Sequence, residues 1–326
     1  MKVVPKLGYP TPPSGYYVVY VCSMTYNQSL FIEDCLNGVA MQITDFPLVH
    51  HVIDDCSTDG EQEVIKSWIR RNCDLNTVEY YENDICTITL IKAKNNPNYT
   101  LAAYFLKRNL YKAKEKKRSL CIPWRDACPY EAICEGDDFW TDPNKLQKQV
   151  DFLKANPEYS MCCSAYSCIC QETGDLIDRN LTDLEVITFD DLLDYNKIGT
   201  LTVLCRKILL QRYYKEFEYR LPAFPLGDYQ QWLWMSKQGP IYRYKERMAM
   251  YRLLNESASH SKSPLKRYCF ALACIDIRLI FNREFGSGIY SLYFRRIAFI
   301  VFNCIKHRWY KLMFKHLFHP DYILQK

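Results

Sequence analysis

Cys134-Glu135-Gly136-Asp137-Asp138-Phe139-Trp140-Thr141-Asp142-Pro143 is the stretch that decides the fold. Two adjacent carboxylates follow an apolar run, Tyr130 to Cys134, and aromatic residues come directly after them. A strand that delivers acids at its carboxyl end can hold a divalent cation against a phosphate. Asp142 reads as a helix N-cap and Pro143 as the first helical residue. Leu146, Val150 and Leu153 then recur at helical spacing until Asn156-Pro157 ends the run. The acids therefore lie between a strand and a helix, where open α/β sheets bind ligands.

Upstream, the same alternation repeats. Tyr17 to Cys22 reads as a first buried strand, continuously apolar as parallel strands are. Leu30 to Met41 has helical spacing, and a second strand, Leu48 to Ile53, ends at Asp54-Asp55. Thr58 or Asp59 can cap a helix running to Arg71. Ile85 to Ala93 reads as a third strand and Leu101 to Lys117 as a basic helix. This pattern predicts an α/β domain with a mostly parallel central sheet flanked by helices. After Tyr166 the pattern changes. Ile198 to Cys205 is a strand candidate, Tyr229 to Lys237 a Trp-rich helix and Tyr242 to Leu253 an extended segment. From Pro264 the chain reads as two helices separated by Gly286-Ser287-Gly288. The expected organisation is an N-terminal extension (1–16), a main domain (17–260, halves 17–165 and 166–260) and a basic helical C-terminal extension (261–326).

The 326 residues suffice for a full core. Hydrophobic residues at 48% and charged residues at 24% argue against wholesale disorder. The net charge of +5 is unevenly placed, with basic runs at Lys107 to Arg118 and Tyr290 to Lys326 that suit phosphate or anionic lipid, or simply a solvated face. The 16 cysteines fit neither a CxxC redox pair nor a zinc knuckle, and Met1 to Tyr16 lacks the apolar core of a signal peptide. A reducing cytoplasm is the expectation. Ile297 to Ile305 is too short to span a bilayer, so the chain is expected to be soluble or peripheral at the inner face of the membrane.

Three acidic sites can carry chemistry: Asp54-Asp55, Asp137-Asp138 and Asp228. Carboxylates at a sheet edge can accept hydrogen bonds from a base or ribose, or join Mg²⁺ or Mn²⁺ to substrate phosphates. Asp-Asp pairs also cap helices. Neither a GxxxxGK[ST] nor a GxGxxG loop is present, which argues against P-loop and dinucleotide-binding enzymes. GxSxG and HExxH are likewise missing, and no histidine has metal-ligand spacing.

With these residues in hand, the chain resembles the family-2 inverting glycosyltransferases of GT-A fold, above all bacterial members that build surface polysaccharides. Val21 to Gln28, Val52 to Gly60, Cys134 to Leu153 and Leu226 to Leu233 carry the resemblance in order, with Met250-Tyr251-Arg252 as counterpart of the family's later Tyr-Arg segment. The resemblance implies a metal-dependent transfer from a nucleotide sugar to a glycan or lipid-linked glycan. Thr25, Tyr26, Asn27, Asp55 and Asp137 would bind the donor nucleotide, Tyr26 lying against the base and Asp55 hydrogen-bonding it. Asp138, with Asp137, would hold Mg²⁺ or Mn²⁺ on the diphosphate. Asp228 would be the general base, and Trp140, Gly227 and Tyr229 would face the acceptor. The sequence departs from relatives at Asn98-Tyr99-Thr100-Leu101, which lacks their Asn-x-Gly glycine, and at Lys112 to Pro129, read as an insertion. A non-catalytic nucleotide-sugar-binding or assembly module of the same fold is the competing reading.

Overall fold

The computed structural model describes residues 5–177, 181–221, 224, 226–254, 261–286 and 291–318. In chain order the strands are β1 (Lys6–Leu7), β2 (Val19–Thr25), β3 (Leu48–Asp54), β4 (Glu79–Glu82), β5 (Cys86–Lys92), β6 (Tyr99–Leu106), β7 (Tyr130–Ile133), β8 (Phe139–Trp140), β9 (Met161–Cys170), β10 (Leu176–Ile177), β11 (Val186–Ile187), β12 (Leu204–Arg206) and β13 (Ile241–Leu253). The helices are α1 (Ile32–Ala40), α2 (Glu61–Asn72), α3 (Ile122–Ala127), α4 (Lys145–Ala155), α5 (Phe189–Asp194), α6 (Lys207–Arg212), α7 (Gly227–Gln238), α8 (Pro264–Phe285), α9 (Ser291–Lys306) and α10 (Tyr310–Phe318).

One sheet runs through both expected halves, in the order β1-β4-β5-β6-β3-β2-β7-β12-β9-β13-β11. Its centre, β6-β3-β2-β7, is parallel, whereas β4, β5, β12 and β11 add antiparallel pairings. Every residue of β3 is buried, as a strand covered on both faces requires. Its two histidines are core residues: His50 bridges Ser23 Oγ (2.7 Å) and Tyr99 OH (2.9 Å). Burial pushes its pKa down to about 3, so the ring stays neutral.

Four sequence expectations change. The basic helix at Leu101 to Lys117 is instead β6, buried at all eight positions between β3 and β5, followed by basic turns. An apolar run of that length fits a strand or a helix, and the tertiary position decides. Helix α4 begins at Lys145 rather than Pro143, because β8 pairs with β13 and delays the helical turn. The strand expected at Ile198 to Cys205 shrinks to Leu204–Arg206, after a 3₁₀ turn at Thr200–Thr202. The tail forms α8, α9 and α10 where two helices were expected. Arg308 breaks the second from the third with φ +57°. Gly286 closes α8, while Ser287-Gly288 and residues 319–326 lie outside the described residues. All 16 cysteines are free thiols, most of them buried.

The core brings α1 unusually close to β8. A Cβ on Gly38 would sit 2.7 Å from the Trp140 backbone nitrogen and 2.9 Å from its oxygen. Gly38→Ala is therefore expected to destabilise the fold by about 1–3 kcal/mol, although alanine normally favours a helix. Chemical unfolding would check this, and an unchanged midpoint would exclude the close contact.

Lys145 is fully buried, its Nζ on Gln149 Oε1 (2.8 Å) and 4.1 Å from the Trp140 ring centre. Burial lowers its pKa from 10.5 to about 8. Between those values the unfolded chain binds the proton and the folded chain does not, so stability rises with pH. Relative to Lys145→Met, the wild type is expected to gain about 1.4 kcal/mol per pH unit across that window. Paired urea titrations at several pH values would show a constant gap if Lys145 titrated normally.

Candidate active site

The acidic turn forms where β7 ends. Gly136 is required there, because a Cβ would fall 2.5 Å from Thr25 Oγ1 and 2.4 Å from Gln28 Oε1. Asp138 is buried: its Oδ1 accepts the Arg252 backbone N–H (2.8 Å), and its Oδ2 has no partner. Burial, then the charges of Asp137 and Glu135, push its pKa well up. Asp137 is half-buried and raised by burial too. Glu135 opens onto the cleft, yet crowding by the surrounding protein and the charges of Asp137 and Asp228 push its pKa up as well.

Arg252 organises this turn. Its Nε donates to the Asp137 carbonyl (2.8 Å), and its terminal nitrogens reach Gln171 Oε1 (2.8 Å) and Asp34 Oδ2 (2.7 Å). The guanidinium lies 4.7 Å from the centre of the Phe31 ring and 5.3 Å from that of Phe139. Sequence reading placed Arg252 in a motif but gave it no role, since its partners are 81 to 218 residues away. Arg252→Lys cannot reproduce this fork. It is expected to weaken nucleotide-sugar binding about tenfold, measured by calorimetry; unchanged affinity would show that the turn holds itself.

The residues expected to bind the donor divide into two groups. Thr25 and Asn27 stitch the loops after β2 and β3 together. Thr25 Oγ1 hydrogen-bonds Glu61 and Gln28, Asn27 N donates to Ser57 Oγ (2.9 Å), and Thr58 N donates to Asn27 Oδ1 (2.8 Å). Tyr26 is half-buried, and Asp55 is fully buried. One strap of the basic region engages both. The backbone N–H groups of Leu110 and Tyr111 reach Asp55 at 2.7 and 3.1 Å, and Lys117 Nζ at 2.9 Å. Lys112 Nζ meets Tyr26 OH at 3.2 Å. Sequence spacing gave no sign of this strap, whose contacts cross more than 50 residues.

On the other side, Asp228 stands in the first turn of α7, half-buried. Its Oδ2 accepts from Thr200 Oγ1 (2.6 Å) and its Oδ1 from the Tyr229 backbone N–H (2.7 Å). Asp228, Glu135, Thr200, Gln231 and Tyr214 share a cavity of about 280 Å³ that reaches Tyr20 and Cys22. Gly227 is exposed with open space around it. Two residues expected to face the acceptor are core residues. Trp140 is buried, with its Nε1 on the Leu201 carbonyl (2.7 Å), and Tyr229 is buried, with its hydroxyl on the Leu192 carbonyl. Both rings sit in the core because each meets a backbone acceptor there.

The acidic turn fits a hard cation. Asp138 offers a buried oxygen without a partner, and burial, then the charges of Asp137 and Glu135, hold its pKa up. Among the described residues no cluster of three or more metal-ligating side chains occurs. Asp138 and Asp137 would therefore supply one or two ligands, with substrate oxygens and water as the rest.

No protein-family model matches the chain. It is 31% identical over 188 residues to an uncharacterised protein of Mycobacterium tuberculosis, an overlap of 57% of this chain and 46% of that protein. It thus spans about half the length of the mycobacterial relatives it matches. It is 26% identical over 248 residues to the putative teichuronic acid biosynthesis glycosyltransferase TuaG of Bacillus subtilis, covering 75% of this chain and 82% of TuaG. Among solved structures it resembles residues 1–349 of S. aureus TarS in complex with UDP, with a TM-score of 0.52 and 14% identity over 87% of this chain and 70% of that one. The fold is that of the GT-A glycosyltransferases. The same TarS segment in complex with UDP-GlcNAc superimposes with a TM-score of 0.50 and 14% identity, over 87% of this chain and 79% of that one. The likeness to bacterial surface-polysaccharide glycosyltransferases drawn from four sequence segments holds at this level. In this GT-A chain the acidic turn follows β7, which adjoins β2 and β12, and Asp228 shares a cavity with Cys22 and Met24 of β2 and Ile133 of β7.

Proposed function

We propose that this chain is an inverting, metal-dependent glycosyltransferase that moves a sugar from a nucleotide-sugar donor to a hydroxyl of a glycan or lipid-linked glycan in surface polysaccharide synthesis, at the cytoplasmic face of the membrane. The observation that carries this reading is Asp228. Its carboxylate is oriented by Thr200 and its own helix terminus, and it shares one cavity with Glu135 of the acidic turn. TarS binds UDP and UDP-GlcNAc, and TuaG is described as a teichuronic acid glycosyltransferase, which supports a nucleotide-sugar donor here.

Asp228 takes the proton of the acceptor hydroxyl as its oxygen attacks the anomeric carbon. The bond to the nucleoside diphosphate breaks on the opposite face, so the anomeric centre inverts. Asp138 and Asp137 would hold Mg²⁺ or Mn²⁺, which when bound would supply positive charge against the departing diphosphate. Asp138 and Asp137 hold that end of the site in register, with Arg252 fixing their turn. Tyr26 and Asp55 would meet the base once the strap gives up its hold on Asp55, and Thr25 and Asn27 keep the surrounding loops in place.

The second reading, a non-catalytic binding module, is favoured by one observation: the strap from Asn109 to Lys117 already satisfies Asp55 and contacts Tyr26. Incubation with a panel of nucleotide sugars, Mn²⁺ and acceptor glycolipids separates the two. Release of nucleoside diphosphate that depends on acceptor supports transfer. Binding by calorimetry without consumption of any donor supports the module.

A further inference from the structure

We propose that the outer face of α9 and α10 is a docking surface for an anionic lipid bilayer. Helix α9 carries two apolar stripes. The inner one, Leu292, Ile300 and Cys304, is buried with Tyr268, Leu272, Ile275 and Leu279 of α8. The outer one has nothing described over it: Phe294, Ile297, Phe302 and Ile305 recur along one side of the helix and are all exposed. On α10, Phe314 and Phe318 continue the pattern one turn apart. Phe294 is 72% exposed, Phe302 67% and Phe318 68%. Rings so open in one short segment exceed the scattered apolar residues of an ordinary soluble surface.

The face is held rigid from beneath. Arg296, buried, places Nε on Asp276 Oδ1 (2.6 Å) and a terminal nitrogen on the His316 carbonyl (3.0 Å). Tyr268 OH meets His316 Nδ1 at 2.8 Å. These bonds tie α8, α9 and α10 together and fix which side of α9 points outward.

Charge selects the occupant. From Ser291 to Phe318 the sequence holds no Asp or Glu, while Lys306, Arg308 and Lys311 are exposed and Arg295 lies 3.5 Å from Asp194. A second copy of this face would bring like charges together, whereas anionic headgroups complement them. Aromatic side chains between cations describe a helix lying in the headgroup plane. Helix α9 has 16 residues, and among the described residues no helix is long and apolar enough to cross a membrane. The face therefore rests on a bilayer and does not enter it as a span. Ile300 and Cys304, on the same helix, are fully buried and take no part in the outer face.

Co-sedimentation of the full chain with phosphatidylcholine vesicles, with and without phosphatidylglycerol, tests the proposal. Binding is expected to need phosphatidylglycerol and to fall at least about tenfold at high salt. The triple variant Phe294→Ser, Phe302→Ser, Phe314→Ser is expected to lose binding by about tenfold or more. Lys306→Glu with Lys311→Glu, which leaves the apolar residues intact, is expected to do the same. Circular dichroism would confirm that the helices persist in both. Equal binding to neutral and anionic vesicles, unaltered binding by both variants, or a dimer in solution that the triple variant dissolves while vesicles are ignored would each overturn it.

Discussion

Asp228→Asn is expected to lower the turnover of sugar transfer by about 10²–10⁴-fold while leaving donor affinity within a factor of about three. The amide keeps an oxygen for Thr200 Oγ1, which lies 2.6 Å from the carboxylate, but it cannot take a proton from an acceptor hydroxyl. Its nitrogen also has to replace Oδ1, which accepts the Tyr229 N–H at 2.7 Å. The single change therefore removes a base and sets two donors against each other at the N-terminus of α7. Thr200→Val separates these effects, because it leaves the carboxylate and removes only its orienting hydroxyl. A smaller loss, about tenfold in turnover, is expected for it. Quenched assays of nucleoside diphosphate release would measure both. Full turnover in Asp228→Asn would reassign the base, and Glu135, in the same cavity, would be the next group to change.

Asp138→Asn should divide stability from function. The wild-type carboxylate is buried, with one oxygen unpartnered and two acidic neighbours raising its pKa. Removing that charge is expected to leave the metal-free protein as stable as the wild type or more so. The asparagine oxygen can still accept the Arg252 N–H that now reaches Oδ1 at 2.8 Å. Adding Mn²⁺ together with a nucleoside diphosphate reverses the order. At a hundred times the dissociation constant, ligand stabilises the wild type by about 2.7 kcal/mol, and the variant should gain little. Thermal melts with and without the two ligands give the comparison. An equal upward shift in both proteins would remove Asp138 from the cation site.

The sequence carried the acidic turn well because three local signals agree there: a buried strand, paired carboxylates and a helix start. Asp228 was legible for the same reason, as an acid at the head of an apolar helix. Where local signals conflicted, the reading failed. The run from Tyr99 to Leu106 has no periodicity that separates a strand from a helix, and only its seat between β3 and β5 settles the matter. Trp140 and Tyr229 stand beside site residues in sequence, yet each turns inward to a carbonyl more than 30 residues away. Arg252 and the Asn109 to Lys117 strap act through contacts that span from 54 to 218 residues, which no short-range pattern encodes.

Strand β13 has a mechanical consequence. It begins directly after α7, whose first turn bears Asp228, and at its far end Arg252 grips the turn that bears Asp137 and Asp138. It pairs with β9 from Ile241 to Leu253, with register shifts between Tyr244 and Arg247 and between Arg247 and Met250. Asp228 and the acidic turn are thus linked through one helix and one strand, with only Gly239 and Pro240 between the two elements. A residue added between Met250 and Leu253, where β13 pairs with β9 without a shift, should move Arg252 off the turn that bears Asp137 and Asp138.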